Sequence, residues 1–158
     1  MLAPLLALAL VAHGPAAAPA GTPEEDVAAA IDALHAAAAR ADGPAYFGLF
    51  TPDARFIGTD ATERWTLSEF RAYAEPYFAR GQGWTYTPVE RTVTIAPVQC
   101  LCVAWFDEVL DSRSYGVTRG SGVLRKTRDG WKIEQYVLSF TVPNARADAV
   151  VAAIGAPE

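Results

Sequence analysis

Carboxylates beside aromatic residues are the first groups in this sequence that could do chemistry. Asp60 and Glu63 are three residues apart and close to Trp65, in a polar loop after a predicted strand. A carboxylate held against apolar rings can have a raised pKa and act as a general base. This pattern makes Asp60 a candidate catalytic residue, and Glu63 and Trp65 candidate pocket residues. The structural alternative is a loop cap, or an ion pair with Arg64 or Arg119.

A second carboxylate pair, Asp107 and Glu108, lies within a predicted strand. Neighbouring side chains on a strand point to opposite faces, so one of the two faces inward. Pairing of Glu108 with Arg119 would place Glu108 inside, whereas a shift of one residue would place Trp105 and Asp107 there. We favour Trp105 and Asp107, because that pair suits a ligand wall with polar groups, and Asp107 is the second candidate catalytic residue. A structural pair between the aspartate and an arginine is the alternative.

Helix caps and apolar spacing predict the elements that position these residues. Thr22 with Glu25, and Thr66 with Glu69, are capping boxes. The predicted order is helix 23–40, a short helix after residue 43, strand 54–58, helix 67–80, a candidate strand pair at 84–97, strands 101–110, 117–127 and 131–139, and a short helix within 145–154. Helices first and then antiparallel strands indicate an α+β fold with helices packed on one face of a curved sheet.

The last two strands predict a pocket wall. Residues 128–130 are interpreted as a three-residue loop that ends in a glycine bulge, so that Thr127 lies opposite Trp131. Cross-strand partners share a face. One face then holds apolar residues with polar groups among them, which is typical of a ligand pocket: Arg119, Ser121, Val123, Trp131, Ile133, Gln135, Val137 and Ser139. The other face is expected to meet solvent and a partner subunit: Leu124, Lys126, Lys132, Glu134, Tyr136 and Leu138.

The helices contribute further candidates. Tyr46, Phe50 and Tyr77 are expected to line the same pocket from the helical side. An inward phenol there could donate a hydrogen bond to an oxyanion. His35 has the neighbours Ile31 and Leu34 on the first helix, and we interpret it as a core or surface residue more readily than as a catalyst.

Composition limits the class of protein. The 158 residues are 51% hydrophobic and 20% charged, with a net charge of −5, which fits one globular domain. No cationic stripe exists for nucleic-acid binding, and no apolar segment after the first residues is long enough to span a membrane. Residues 1–20 resemble a cleaved secretory signal. The predicted organisation is a signal at 1–20, one domain at 21–144 and a short tail or helix at 145–158, in a secreted or periplasmic protein.

Metal, cofactor and disulfide chemistry are not expected. Cys100 and Cys102 are two residues apart on a predicted strand, where a disulfide would be strained. The chain offers no ligand spacing for a metal ion and no glycine-rich phosphate loop. We therefore predict no metal, no cofactor and no disulfide.

The chain resembles the SnoaL-like branch of the nuclear transport factor 2-like (ketosteroid isomerase-like) superfamily. The resemblance rests on the segments 46–60, 63–65, 105–108 and 130–139 and on their order. It implies a cone in which a curved antiparallel sheet and about three helices enclose a pocket, and a homodimer through the outer sheet face. Enzyme members include isomerases, cyclases, hydrolases and dehydratases, but relatives often carry histidine on the last strand, where this chain has Gln135 and Val137. We expect a domain that binds a small apolar molecule with polar groups; the alternatives are an enzyme with a carboxylate base and a dimeric interaction module without a ligand.

Overall fold

The computed structural model describes residues 21–156, so the predicted signal at 1–20 lies outside the described residues. The elements follow in chain order: α1 (Pro23–Ala39), α2 (Gly43–Phe47), β1 (Phe50–Ile57), β2 (Arg64–Thr66), α3 (Leu67–Phe78), β3 (Thr87–Ile95), β4 (Val103–Ser112), β5 (Gly116–Thr127), β6 (Gly130–Phe140), a 3-10 turn (Asn144–Arg146) and α4 (Ala147–Ile154). Both predicted capping boxes are present: Thr22 and Thr66 accept hydrogen bonds from the backbone N–H groups of Glu25 and Glu69.

The six strands form one open sheet in the order β2-β1-β6-β5-β4-β3. The predicted α+β class is confirmed. The strands β3 to β6 are antiparallel, as expected, and β1 with β2 extends the sheet at one edge, where β1 runs parallel to β6. Parallel neighbours need a long connection, and here it includes β2, α3 and the other strands. β1 also begins at Phe50, four residues before the predicted start at residue 54.

The helices pack on one face of the sheet, which we call the inner face. β4 shows the pattern clearly: Ala104, Phe106, Glu108 and Leu110 are buried, whereas Trp105 and Asp107 are exposed. The inner face and the helices share one core of buried residues that includes Ile31, Phe70 and Leu124. Trp105 and Asp107 belong to the opposite, outer face.

The predicted register of the last hairpin is correct at one end and wrong at the other. Ser121 lies opposite Val137, as predicted, but Thr127 pairs with Gly130 and not with Trp131. The loop therefore has two residues, and a bulge after Ile133 restores the register further along the strand. A bulge of one residue moves all later side chains to the other face.

This bulge reverses the predicted faces beyond Ile133. Trp131 and Ile133 are buried on the inner side, and so are Leu124, Tyr136 and Leu138, which we had expected to meet solvent and a partner. Six residues of β5 and β6 that were predicted to line the pocket lie instead on the outer face of the sheet: Arg119, Ser121, Val123, Gln135, Val137 and Ser139.

The expectation of no disulfide is also wrong, because Cys100 and Cys102 are bonded. An extended strand would place these two Cα atoms nearly 7 Å apart, but they are 5.1 Å apart. β4 begins only at Val103, and Leu101 has a φ of 45°, so the chain turns between the two cysteines. The prediction failed because it extended the strand by two residues.

Candidate functional site

A cavity of about 140 Å³, partly open to solvent, lies between the sheet and α3, and we call it the mouth pocket. A closed apolar cavity of about 150 Å³ can hold a benzene molecule. The mouth pocket is lined by Gly58, Thr59, Glu63 and Leu138, together with seven aromatic side chains: Phe56, Trp65, Phe70, Tyr73, Trp84, Tyr86 and Tyr115.

Strand pairing and ring stacking assemble the aromatic part of this pocket. Phe56 of β1 pairs with Trp65 of β2 on one side and with Tyr136 of β6 on the other. The Phe56 ring stacks on Phe70 of α3 at 3.8 Å between centroids, and Trp65 stacks on Tyr73 at 4.8 Å. Stacked rings in a packed wall are stabilised beyond their buried area, so contacts within the protein hold this wall in place.

The loop between β1 and β2 places Glu63 in this pocket. The Gly58 N–H donates to the Glu63 carbonyl at 2.9 Å, and the Asp60 N–H donates to Glu63 Oε2 at 3.2 Å. Asp60 itself accepts from the N–H and the hydroxyl of Thr62 at 2.7 and 2.6 Å. The two carboxylates therefore differ: Glu63 lines the aromatic pocket, whereas Asp60 caps the loop.

Asp60 lacks the property that a general base was expected to have. It is fully exposed, and the hydrogen bonds from Thr62 lower the pKa of its carboxyl group. The alternative of a loop cap describes its geometry. Asp60 lies beside a different, wider groove formed with Tyr115, Val117, Phe140 and the start of the C-terminal turn.

The phenols of Tyr73 and Tyr86 in the mouth pocket stay neutral near pH 7. Burial, followed by the influence of Tyr115, Tyr73 and Glu63, raises the pKa of Tyr86 to about 12. Burial also raises the pKa of Tyr73, with smaller contributions from Tyr77, Glu63 and Tyr115. Tyr73, Tyr86, Tyr115 and Glu63 all line the mouth pocket.

A buried polar network lies deeper in the fold. His35 Nε2 is 2.7 Å from Glu108 Oε1, and the Tyr136 hydroxyl donates to the same oxygen at 3.2 Å. Arg91 donates to Glu108 Oε2 at 2.9 Å and also bonds Asp32 at 2.8 Å. These residues come from α1, β3, β4 and β6, so the network ties the first helix to the sheet.

The pairing determines the charge state of this network. Burial alone would raise the pKa of Glu108, but hydrogen bonds and charge from His35 and Arg91 outweigh it, and the pKa is lowered. Burial and the nearby Glu108 raise the pKa of Tyr136 well above its ordinary value. Glu108 is therefore an ionised, fully paired support.

A small inner cavity of about 20 Å³ lies next to the network and has lining residues in common with the mouth pocket. His35, Tyr46 and Tyr136 line it, and it shares Phe56, Trp84, Tyr86 and Leu138 with the mouth pocket. A cavity of about this size holds one water molecule.

The predicted site residues fall into three groups. Glu63 and Trp65 line the mouth pocket, and Tyr46 lines the inner cavity. The second group, Phe50, Trp131 and Ile133, is buried in the core. Tyr77 belongs to none of the groups, because it is 41% exposed on α3 beside Tyr73. The third group lies on the outer face, away from both cavities: Trp105, Asp107, Arg119, Ser121, Gln135, Val137 and Ser139.

The favoured orientation of the carboxylate pair on β4 is wrong. Glu108 is 1% exposed on the inner face, and Asp107 is exposed on the outer face opposite Ser121. Within residues 21–156, Arg119 takes part in no ion pair; Glu108 is instead neutralised by Arg91, its partner across β3 and β4. Asp107 does share a face with Arg119 and Ser121, as the favoured register required, but that face is the outer one. The error was to assign this face to the inside of the fold.

Sequence reasoning missed most of the residues that line the cavities. Trp84 and Tyr86 are two residues apart, and side chains at this spacing on an extended chain lie on the same face. This spacing could have indicated that both belong to one pocket wall. His35 was considered but interpreted as a core or surface residue; it is 9% exposed and lines the inner cavity. Arg91 gave no signal, because its role depends on Asp32 and Glu108, which are distant in sequence.

Two absences apply to the described part of the chain. Residues 21–156 contain no group of three histidine, cysteine, aspartate or glutamate side chains placed to hold a metal ion. Across the same residues, no helix combines the length and the apolar character needed to cross a bilayer.

Known proteins share this architecture. A family model described as a SnoaL-like domain matches residues 27–143, and no curated protein matches the sequence. Among solved structures, an NTF2-like protein from Streptomyces avermitilis, named as a candidate dehydratase, has 17% identity and a TM-score of 0.64, covering 76% of this chain and 96% of that chain.

Two other structures illustrate how varied the similar proteins are. A domain of unknown function with a cystatin-like fold from Nostoc punctiforme has 18% identity and a TM-score of 0.64, covering 87% of this chain and 90% of that one. A candidate ketosteroid isomerase from Shewanella frigidimarina has 19% identity and a TM-score of 0.58, covering 74% and 97%. Identities this low show a shared fold and do not transfer an activity.

Proposed function

The chain belongs to the SnoaL-like family, and on that premise we propose that it is a small-molecule-binding domain whose ligand enters the mouth pocket. The observation that carries the proposal is the aromatic cavity of about 140 Å³ with one carboxylate in its wall. Pockets that are mostly apolar, with a few placed polar groups, are the usual form of a ligand site.

The candidate catalytic carboxylates Asp60 and Asp107, and the buried Glu108, do not fit the role of a general base. A catalytic base near neutral pH needs a raised pKa, but the pKa values of Asp60 and Glu108 are both lowered. Asp107, the other candidate, lies on the outer face, far from the pocket in the register of β4. The interaction module with a filled cone is less well supported, because the space between α3 and the sheet is not filled by side chains.

A substitution at the entrance tests this proposal. Thr59 lines the mouth pocket and is half-buried, so Thr59→Trp should fill the cavity without altering the core. Thr85 is exposed and does not line the pocket, and Thr85→Trp is the matched control. Native mass spectrometry of the protein purified from its own source should show a small-molecule adduct on wild type and on Thr85→Trp, and none on Thr59→Trp.

Two results would contradict the proposal. The first is the absence of an adduct from wild-type protein across several preparations. The second is an adduct that persists on Thr59→Trp at the same occupancy, which would place the ligand elsewhere. Near-ultraviolet circular dichroism of both variants checks that the aromatic core is unchanged.

A second candidate function is proton transfer on the bound molecule by His35. One observation favours it: His35 lines the inner cavity and is oriented by Glu108 at 2.7 Å. A histidine held by a carboxylate is a common acid–base arrangement. Once the adduct is identified, NMR should show its conversion by wild type and not by His35→Gln. A ligand recovered unchanged from wild type would rule out this function.

We also propose export to an oxidising compartment. The sequence at residues 1–20 favours a cleaved signal, and the bonded Cys100 and Cys102 suit a secreted or periplasmic protein. Amino-terminal sequencing of the protein from its own source should give a start near Gly21. A start at Met1 would contradict this proposal.

A homodimer through the outer face of the sheet is the proposed assembly. That face carries Trp105, which is 44% exposed, and the half-buried Val109, Val123 and Val137. Exposed aromatic and aliphatic residues in one area are typical of an interface. Analytical ultracentrifugation should give a dimer for wild type and a monomer for Trp105→Asp; a monomeric wild type would contradict the proposal.

A further inference from the structure

We propose that the ligand of the mouth pocket is a small organic cation, an alkylammonium group of roughly the size of trimethylammonium. The inference deepens the proposed function and depends on it. It rests on three properties of the pocket: its aromatic wall, its single carboxylate and its size.

The aromatic wall is the first property. Seven of the residues that line the pocket are Phe, Tyr or Trp, including Trp65 and Trp84. Aromatic rings attract cations through the negative charge on faces that no other ring covers, and cages of such rings recognise quaternary ammonium groups. Phe56, Trp65, Phe70 and Tyr73 stack on one another, whereas Trp84 and Tyr115 meet their aromatic neighbours only at tilted or edge-on angles. A neutral apolar ligand would be bound equally well by aliphatic side chains, and Leu138 is the one aliphatic side chain in this lining.

The carboxylate is the second property. Glu63 is the one charged side chain that lines the pocket, and within residues 21–156 it takes part in no ion pair. Its side chain accepts a single hydrogen bond, from the Asp60 N–H. Arg64 is the neighbouring cation in sequence, but it is exposed and precedes Trp65 on β2, so it points to the other face.

The charge around the pocket excludes an anionic ligand. The neighbouring phenols stay neutral, since burial raises the pKa values of Tyr73 and Tyr86. They add hydroxyl groups but no positive charge. An anion would meet the Glu63 carboxylate without compensation, whereas a cation would pair with it in a site partly shielded from water.

The size is the third property. A volume of about 140 Å³ fits a compact group of roughly benzene size. The opening to solvent allows the rest of a longer molecule to extend outside. The geometry therefore selects a compact head group and leaves the remainder of the ligand less restricted.

Choline and 3,3-dimethylbutan-1-ol provide the test, because they have the same shape and differ in the central nitrogen or carbon. Titration calorimetry of the full chain at constant ionic strength should give a dissociation constant for choline about tenfold lower than for the neutral alcohol. Glu63→Gln keeps the oxygen that accepts from Asp60, so the loop should remain closed. This variant should lose most of the preference for choline.

Glu90→Gln is the matched control, because Glu90 is exposed on β3 and does not line the mouth pocket. It removes the same charge and should keep the wild-type preference. Equal binding of the two probes would overturn the cation inference and leave the pocket function intact. A preference that survives in Glu63→Gln would also overturn it.

Failure of the cation inference and failure of the proposed function give different results. If neither probe binds, the inference is wrong, and the adduct measured on wild type and Thr59→Trp decides the pocket function separately. If choline binds equally well to wild type and Thr59→Trp, the cation binds outside the pocket, which also contradicts the inference.

Discussion

Two glutamates at the two ends of the interior show how the same side chain can serve different purposes. Glu108 is 1% exposed and has three side-chain partners, His35, Arg91 and Tyr136. Glu63 is half-exposed in an aromatic wall and accepts one backbone hydrogen bond. The first carboxylate has all its interactions within the protein, whereas the second has capacity left for a ligand.

The comparison shows that burial of a charge does not by itself indicate a functional site. A buried ion that is fully paired contributes to the structure, and its cost appears when one partner is removed. A carboxylate at a pocket without a cation is available for recognition. The following predictions test this difference between Glu108 and Glu63, from the largest expected effect to the smallest.

Removal of the inner carboxylate should have the largest effect. Glu108→Ala leaves Arg91 and His35 facing an empty site, and we expect a loss of about 3–5 kcal/mol in the free energy of unfolding. Asp107→Ala, at the exposed neighbouring position, is the control and should change stability by less than about 0.5 kcal/mol. Urea unfolding followed by circular dichroism measures both. Similar losses for the two variants would show that the network does not support the fold.

Gly120 should be the next most sensitive position. A Cβ atom there would lie 2.5 Å from the Tyr136 hydroxyl and 2.7 Å from Glu108 Oε1, so glycine leaves room for the network. We expect Gly120→Ala to cost about 1–3 kcal/mol, because the buried groups must shift. Ser121→Ala on the outer face is the control in the same urea experiment. A stable Gly120→Ala variant would mean that the network adapts easily.

Low pH should lower the stability of the folded protein through protonation of Glu108. Its pKa in the folded protein is lowered from its ordinary value of 4.5. A lowered folded pKa stabilises the protein above the unfolded pKa, and this contribution is lost as pH falls through the folded pKa. Below about pH 4.5, the unfolding free energy of wild type should therefore fall more steeply than that of Glu108→Gln. Parallel pH profiles would show that the carboxylate is not stabilised by its partners.

Neutralisation of Glu63 should have the smallest effect on stability. Glu63→Gln keeps the acceptor for the Asp60 N–H and breaks no ion pair within the described residues. We expect a change of less than about 0.5 kcal/mol in the unfolding free energy, measured in the same way. A loss close to that of Glu108→Ala would mean that Glu63 also has a structural role, and the distinction between the two glutamates would fail.

The elements of this fold could be predicted from local signals. The capping boxes at Thr22 and Thr66 start α1 and α3 where the sequence indicates, because a cap involves residues only three apart. Every end of the three long strands was predicted to within two residues. The short strand β2 was missed, since its three residues are strand only by pairing with β1.

The site was predicted less well, because it depends on which face a residue occupies. Glu63 and Trp65 line the same pocket. This could be predicted because the two residues are only two positions apart in the chain. The β5–β6 wall was inverted beyond Ile133 by one bulge, which exchanged Gln135 and Val137 for Tyr136 and Leu138. His35 and Arg91 could be assigned only once α1 and β3 were seen to meet at Glu108.

The amino-acid sequence by itself determined the helices, the strands and the α+β class, since caps and apolar periodicity act over a few residues. Tertiary structure alone decided which carboxylate is paired and which faces the pocket. The physical reason is that side chains on a strand alternate, so a single extra residue in one strand reverses the inner and outer faces. Glu108 and Glu63 differ in their surroundings, and those surroundings come from distant segments of the chain.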